Sequence, residues 1–249
     1  MSSVTIFVII GAVAGGFVQG LSGFAFGLIA MAFWAWSVEP QLAGPMVVFG
    51  SLLGQILSVG AIRESFSLWR AAPFIVGGLI GVPLGVLALA YIDTTMFKAA
   101  VGALLATWSP IMLLARRLPY VSIGGRIADG VVGLIGGVMG GLGGLTGPAP
   151  TLWCVLRGWD RNTQRAVFQS FNTVMQAATL AAYAVGGLIT LDVLKMFALI
   201  APAMLVPNLI GVRLYARFSD AAFRAVVLLL LGMSGVALLV ASVPVLLHR

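Results

Sequence analysis

The chain has 249 residues, of which 61% are hydrophobic and 8% charged, and it carries a formal charge of +7. So few polar groups cannot cover so much apolar sequence, which excludes a soluble domain and defines a polytopic integral membrane protein. The basic residues fall singly or in small groups between apolar runs, so the positive charge reads as membrane topology and excludes nucleic-acid binding.

In chain order, the apolar runs give a first broken segment, Val4 to Val18 and then Phe24 to Trp36. Spans follow at Leu42 to Ile62, Ala71 to Tyr91 and Met96 to Ala115. A second broken segment runs Ile127 to Leu142 and then Pro148 to Leu156, with spans at Ala166 to Ile189, Val193 to Leu214 and Ala221 to Leu247. The interruptions coincide with the glycine clusters Gly15–Gly23 and Gly136–Gly144, and glycine at that density is costly inside a helix. The two halves, 1–118 and 119–249, match elsewhere too: Gln55 falls opposite Gln176 and Pro83 opposite Pro207.

The pieces after each break are too short to cross a bilayer, which suggests re-entrant segments. If each broken pair returns to its starting side, each half makes three net crossings and the second half is inverted. The predicted fold is therefore all-α, with two inverted-topology repeats, each a broken, re-entrant helix pair plus three transmembrane helices. On this arrangement Arg63, Arg70, Arg116, Arg117, Arg126, Arg157, Arg161, Arg165, Arg213, Arg217 and Arg224 share one side, leaving only Lys98, Lys195 and Arg249 opposite. That asymmetry makes the basic loops cytoplasmic and puts both termini outside. Full crossing by both broken segments would nearly erase it.

Interrupted helices in corresponding halves point to a transporter's substrate site. The start of a resumed half-helix offers free N–H groups and a positive dipole end, which suit an anion. Here those starts lie at Ser22-Gly23-Phe24 and Thr146-Gly147-Pro148, and Gln19, Ser22 and Thr146 each add a donor. Close helix packing is the competing use of the glycines, and Gly77, Gly81 and Gly85 are assigned to it. Gln55, Asn172, Thr173 and Gln176 are rare polar residues within spans, with Asn172 and Gln176 on one helical face. They suit either a bound oxyanion or interhelical hydrogen bonds.

Acidic residues fall in loops except Asp129, for which a salt bridge to Arg126 is expected. No carboxylate pair, nucleotide loop or metal-ligand motif is present, so neither an enzyme nor a metal or cofactor is expected. Cys154 is the lone cysteine and reads as a small buried hydrophobe. An inside-negative potential drives a monoanion outward by roughly 50-fold per 100 mV without a coupling ion. Export therefore fits this residue inventory better than uptake.

The run from Gly15 to Ala30, Gly-Gly-Phe-Val-Gln-Gly-Leu-Ser-Gly-Phe-Ala-Phe-Gly-Leu-Ile-Ala, resembles the opening motif of the TauE/SafE family of bacterial inner-membrane permeases. The second glycine cluster and Arg165-Ala166-Val167 resemble that family's second-half motif, although Gly-Gly-Leu-Thr-Gly-Pro-Ala-Pro departs from its tighter glycine triplet. The resemblance implies outward transport of small sulfur-containing oxyanions or organosulfonates such as sulfite, thiosulfate or sulfoacetate, with the site at Gly20–Phe24 and Gly143–Gly147. The full candidate set is Gln19, Gly20, Ser22, Gly23, Phe24, Gln55, Gly143, Gly144, Thr146, Gly147, Arg165, Asn172 and Gln176. Expected partners are a small anion and the lipid bilayer, with a homodimer left open. A passive anion channel and a carrier of small organic carboxylates are the alternatives.

Overall fold

The computed structural model describes residues 3–22, 25–59, 67–115, 119–214 and 220–247, and every element among them is helical. In chain order these are α1 (Ser3–Ser22), α2 (Phe26–Trp34), α3 (Pro40–Val59), α4 (Leu68–Tyr91) and α5 (Thr94–Leu114). They continue with α6 (Gly125–Gly143), α7 (Pro148–Leu156), α8 (Arg161–Val185), α9 (Leu191–Leu214) and α10 (Asp220–Leu247). Seven described helices, α1, α3, α4, α5, α6, α9 and α10, are long and apolar enough to cross a membrane. The protein is a multi-pass membrane protein.

Helix α8 is the difference from the sequence expectation. It has 25 residues, ample for a crossing, yet falls outside that apolar set. The reason is a buried polar face: Gln169, Ser170, Asn172, Gln176 and Thr179 are all shielded within the bundle.

The short helices fold back on the long ones before them. Trp34, at the end of α2, donates its indole N–H to Val8 O near the start of α1, at 3.1 Å. At the end of α7, Leu156 O accepts from Val121 N at 2.7 Å, just ahead of α6. Both broken pairs are thus hairpins that return toward their starting end. The end of the bundle holding Trp36 also holds Lys98, whose ammonium reaches Trp36 O, and Gln41, which bonds Leu89 O and Ile92 O. Arg70, Thr163, Arg126 and Trp69 gather at the other end, with Arg70 donating to Thr163 and Arg126 lying 4.8 Å over the Trp69 ring.

Glycine allows the tightest contacts. A Cβ on Gly77 would sit 1.9 Å from Gly130 O, on Gly81 2.2 Å from Leu134 O, and on Gly85 2.1 Å from Val138 O. From the other side, Cβ atoms on Gly133, Gly137 and Gly141 would meet Phe74 O, Gly78 O and Val82 O at 2.1, 2.2 and 2.3 Å. Helices α4 and α6 therefore touch backbone to backbone over three turns, the packing expected for Gly77, Gly81 and Gly85. Helix α1 meets α9 in the same manner at Gly16, Gly20 and Gly211.

That packing corrects the reading of the glycine clusters as the breaks themselves. Gly15, Gly16 and Gly20 lie inside α1, and Gly136 to Gly143 inside α6. Their poor helix propensity is offset by the close approach it permits, and each chain leaves its helix only at the far end of the cluster.

Asp129 also departs from expectation. Its carboxylate accepts from Trp153 Nε1 at 2.7 Å, while Arg126 stacks on Trp69, so among the described residues no salt bridge joins Asp129 to Arg126. A buried carboxylate needs a donor within reach, and the Trp153 indole N–H supplies it once α7 lies against α6. Cys154 is buried beside Phe74, Phe171 and Met175, as expected of a small hydrophobe.

Candidate functional site

Between the two breaks lies a small cavity of about 10 Å³, lined by Gly27, Leu28, Ser51, Gly144, Leu145, Thr146, Gly147, Pro148 and Gln176. The lining combines the first turn of α2, the lead-in and start of α7, and single residues of α3 and α8. Ser51 sits roughly 16 Å along α3, and Gln176 roughly 14 Å before the end of α8, at 1.5 Å per residue. The cavity is therefore close to the middle of a bilayer core about 30 Å thick. It has room for about one water.

The first break is braced by side chains. Gln19 donates from Nε2 to Ser51 O and accepts from Phe26 N at Oε1, both at 3.0 Å. Ser22 Oγ accepts from Ala25 N at 3.2 Å and donates to Val18 O at 2.8 Å. Two of the N–H groups that every helix start leaves without helical partners are thereby satisfied. Those of Gly27 and Leu28 have no partner among the described residues, and both residues line the cavity. Gly50 and Gly54 give α3 room for this brace, since a Cβ on Gly50 would strike the Phe26 ring and one on Gly54 the Gln19 amide.

The second break turns on Gly144, whose φ of 72° is in the left-handed region. Its N–H bonds Gly140 O, and Leu145 N bonds Met139 O. Thr146 Oγ1 donates to Asn172 Oδ1 at 2.8 Å and accepts from Gln176 Nε2 at 3.1 Å. The same Gln176 Nε2 donates to Gly144 O at 3.1 Å. Pro148 and Pro150 lack N–H groups, so the donors left at this helix start are those of Gly147 and Ala149. Among the described residues, each helix start thus retains backbone N–H groups without a helical partner, and those of Gly27, Leu28 and Gly147 belong to lining residues.

The structure brings together Gly144, Thr146, Gly147 and Gln176 in the lining, with Asn172 directly behind Thr146. Gln19 and Ser22 hold the start of α2. Gly20 packs on α9, where its Cβ would meet Asn208 O at 2.2 Å, and Gly143 faces Phe97 and Met31 rather than the cavity. Gln55 lies one layer away, where its Oε1 accepts from Gln169 Nε2 between α3 and α8. Arg165 is eleven residues before Gln176, roughly 16 Å along α8, and it does not line the cavity. Gly23 and Phe24 lie outside the described residues.

Ser51, Gln169, Gly27 and Leu28 were not among the candidates. Gln169 is seven residues before Gln176, two turns along the same face, and that spacing was available as a signal. Ser51 contributes a carbonyl to Gln19, which no side-chain pattern announces.

Two half-helices entering a bundle of long apolar helices, their starts meeting at one buried polar cavity, define the class: a membrane transport protein of the interrupted-helix kind. The chain belongs to the TauE/SafE family, since the family described as "Sulfite exporter TauE/SafE" matches residues 7–238. Neither a curated protein nor a solved structure matched the chain.

Proposed function

We propose that the protein exports small sulfur-containing oxyanions or organosulfonates across a bacterial inner membrane, by alternating access with the anion held between the two half-helix starts. The observation that carries this reading is the cavity near mid-bilayer, lined by Gly27 and Leu28 of one half-helix start and by Gly147 and Pro148 of the other, since helix starts leave backbone N–H groups without helical partners. A developing or fixed negative charge there gains from both dipole ends, in surroundings where water competes little.

Inverted repeats over 1–118 and 119–249 are part of the proposal. They are supported by an exchange of packing partners: α1 lies on α9 while α6 lies on α4, and α3 lies on α9 while α8 lies on α4. The α5–α10 and α3–α8 contacts are their own counterparts under the same exchange. The gathering of Arg70, Arg126 and Arg157 at one end supports a cytoplasmic assignment for that end. A cavity with room for one water favours a carrier that must open, over a passive channel.

The test is flux from proteoliposomes with the membrane potential clamped, comparing sulfite, thiosulfate, sulfoacetate, taurine and simple carboxylates. Saturable, exchange-stimulated flux of sulfur oxyanions is expected. Cation transport with no anion flux would overturn the helix-end argument. Unchanged affinity and rate in both Ser22→Ala and Thr146→Val would remove these two side chains from the site.

A further inference from the structure

The cavity is built for an anion by its backbone, yet one of its side chains asks for the opposite partner. Gln176 is 3% exposed, and its Oε1 has no hydrogen-bond partner among the described residues. The amide cannot be turned to present N–H instead. Its Nε2 donates to Gly144 O, and the reversed amide would set Oε1 against that carbonyl. Thr146 supplies no relief, because its hydroxyl proton is committed to Asn172 Oδ1. A buried acceptor is thus fixed on a side chain that lines the same cavity as the two helix starts.

We infer that the transported species is a protonated monoanion, one that accepts from backbone N–H groups of the lining residues Gly27, Leu28 and Gly147 while donating its own O–H to Gln176 Oε1. The inference rests on the anion-transport reading above and specifies the substrate class of that site. Among sulfur oxyanions this means hydrogensulfite rather than the sulfite dianion, and it equally admits a sulfonate that carries a hydroxyl group. A dianion would leave Oε1 unpaired and add lone-pair repulsion against it, whereas the protonated form gives Oε1 a donor. The proton stays on the substrate throughout, so no protein carboxylate is required. The lining contains no ionisable side chain.

The experiment uses the full chain in proteoliposomes, with equal pH on both sides. Because no titratable group lines the cavity, a pH effect on KM reads the substrate. The KM for total sulfite is expected to rise roughly tenfold per pH unit once hydrogensulfite has begun to lose its proton, and to be constant when expressed as hydrogensulfite. Methanesulfonate is a monoanion in which a methyl replaces the hydroxyl, so it should compete roughly 5- to 100-fold more weakly than hydrogensulfite. Gln176→Met removes the acceptor and should bring the two competitors within a few-fold of each other; the wild-type measurements stand alone if that variant does not fold. Anion flux that follows the dianion, or equal competition by methanesulfonate, overturns this inference and leaves the anion carrier intact. Absence of any anion flux overturns both.

Discussion

Two glycine-mediated interfaces, α4 on α6 and α1 on α9, solve one packing problem with different materials. Between α4 and α6, glycines on both helices interleave, so carbonyls face bare Cα atoms from each side. Between α1 and α9, two glycines of α1 and one of α9 do the same work beside Pro202, Pro207 and Asn208. Asn208 Nδ2 adds a bond to Gly16 O at 3.3 Å. The first contact is a continuous seam of backbone. The second is shorter, with a side-chain tie in place of further glycines; internal prolines do not separate the two, since α4 carries Pro73 and Pro83 as α9 carries Pro202 and Pro207. Membrane helices gain no hydrophobic force from one another, so such close approach carries much of their association. A contact made by glycines on both helices leaves less room for an added methyl than one made by fewer glycines and a side-chain tie.

Substitutions at the seam should produce the largest effects. Gly77→Ala puts a methyl 1.9 Å from Gly130 O, and Gly137→Ala puts one 2.2 Å from Gly78 O, both against backbone. Each is expected to cost about 3 kcal/mol or more, seen as lost thermal stability in detergent. Gly16→Ala, where the methyl meets Met204 O at 2.7 Å, should cost less, about 1–2 kcal/mol. Equal losses at Gly77 and Gly16 would overturn the ranking by clearance at these two positions. Asn208→Ala removes the tie to Gly16 O and should cost about 1 kcal/mol, measured the same way. Lys195→Ala breaks an exposed pair with Asp192 and should change stability by less than about 0.5 kcal/mol.

The sequence read the elements well where local chemistry sets them. Pro148 at a first helical turn marks the start of α7, which runs Pro148–Leu156 as expected. Asp93, whose carboxylate accepts from Thr95 N and Met96 N, opens α5 two residues ahead of the predicted span. The breaks were legible as a region but not as a position. A glycine's fate depends on whether a neighbouring backbone approaches it, and that neighbour is Gly130 for Gly77 and Gly78 for Gly137, both far away in the chain. The pairing of Asn172 and Gln176 on one face was visible from their spacing, and both do meet Thr146. Asp129 shows the converse. Arg126 was its obvious partner at one helical turn, while Trp153 came into reach only because α7 folds back along α6.

The polar face of α8 bears on how the chain enters the membrane. A helix that brings Gln169, Asn172 and Gln176 into hydrocarbon alone leaves several amides unpaired, a costly intermediate. Each partner those amides use, namely Gln55, Gly144 and Thr146, precedes α8 in the chain. Synthesis therefore delivers the acceptors and donors before the segment that needs them, and the least apolar span can be received into a slot already lined for it.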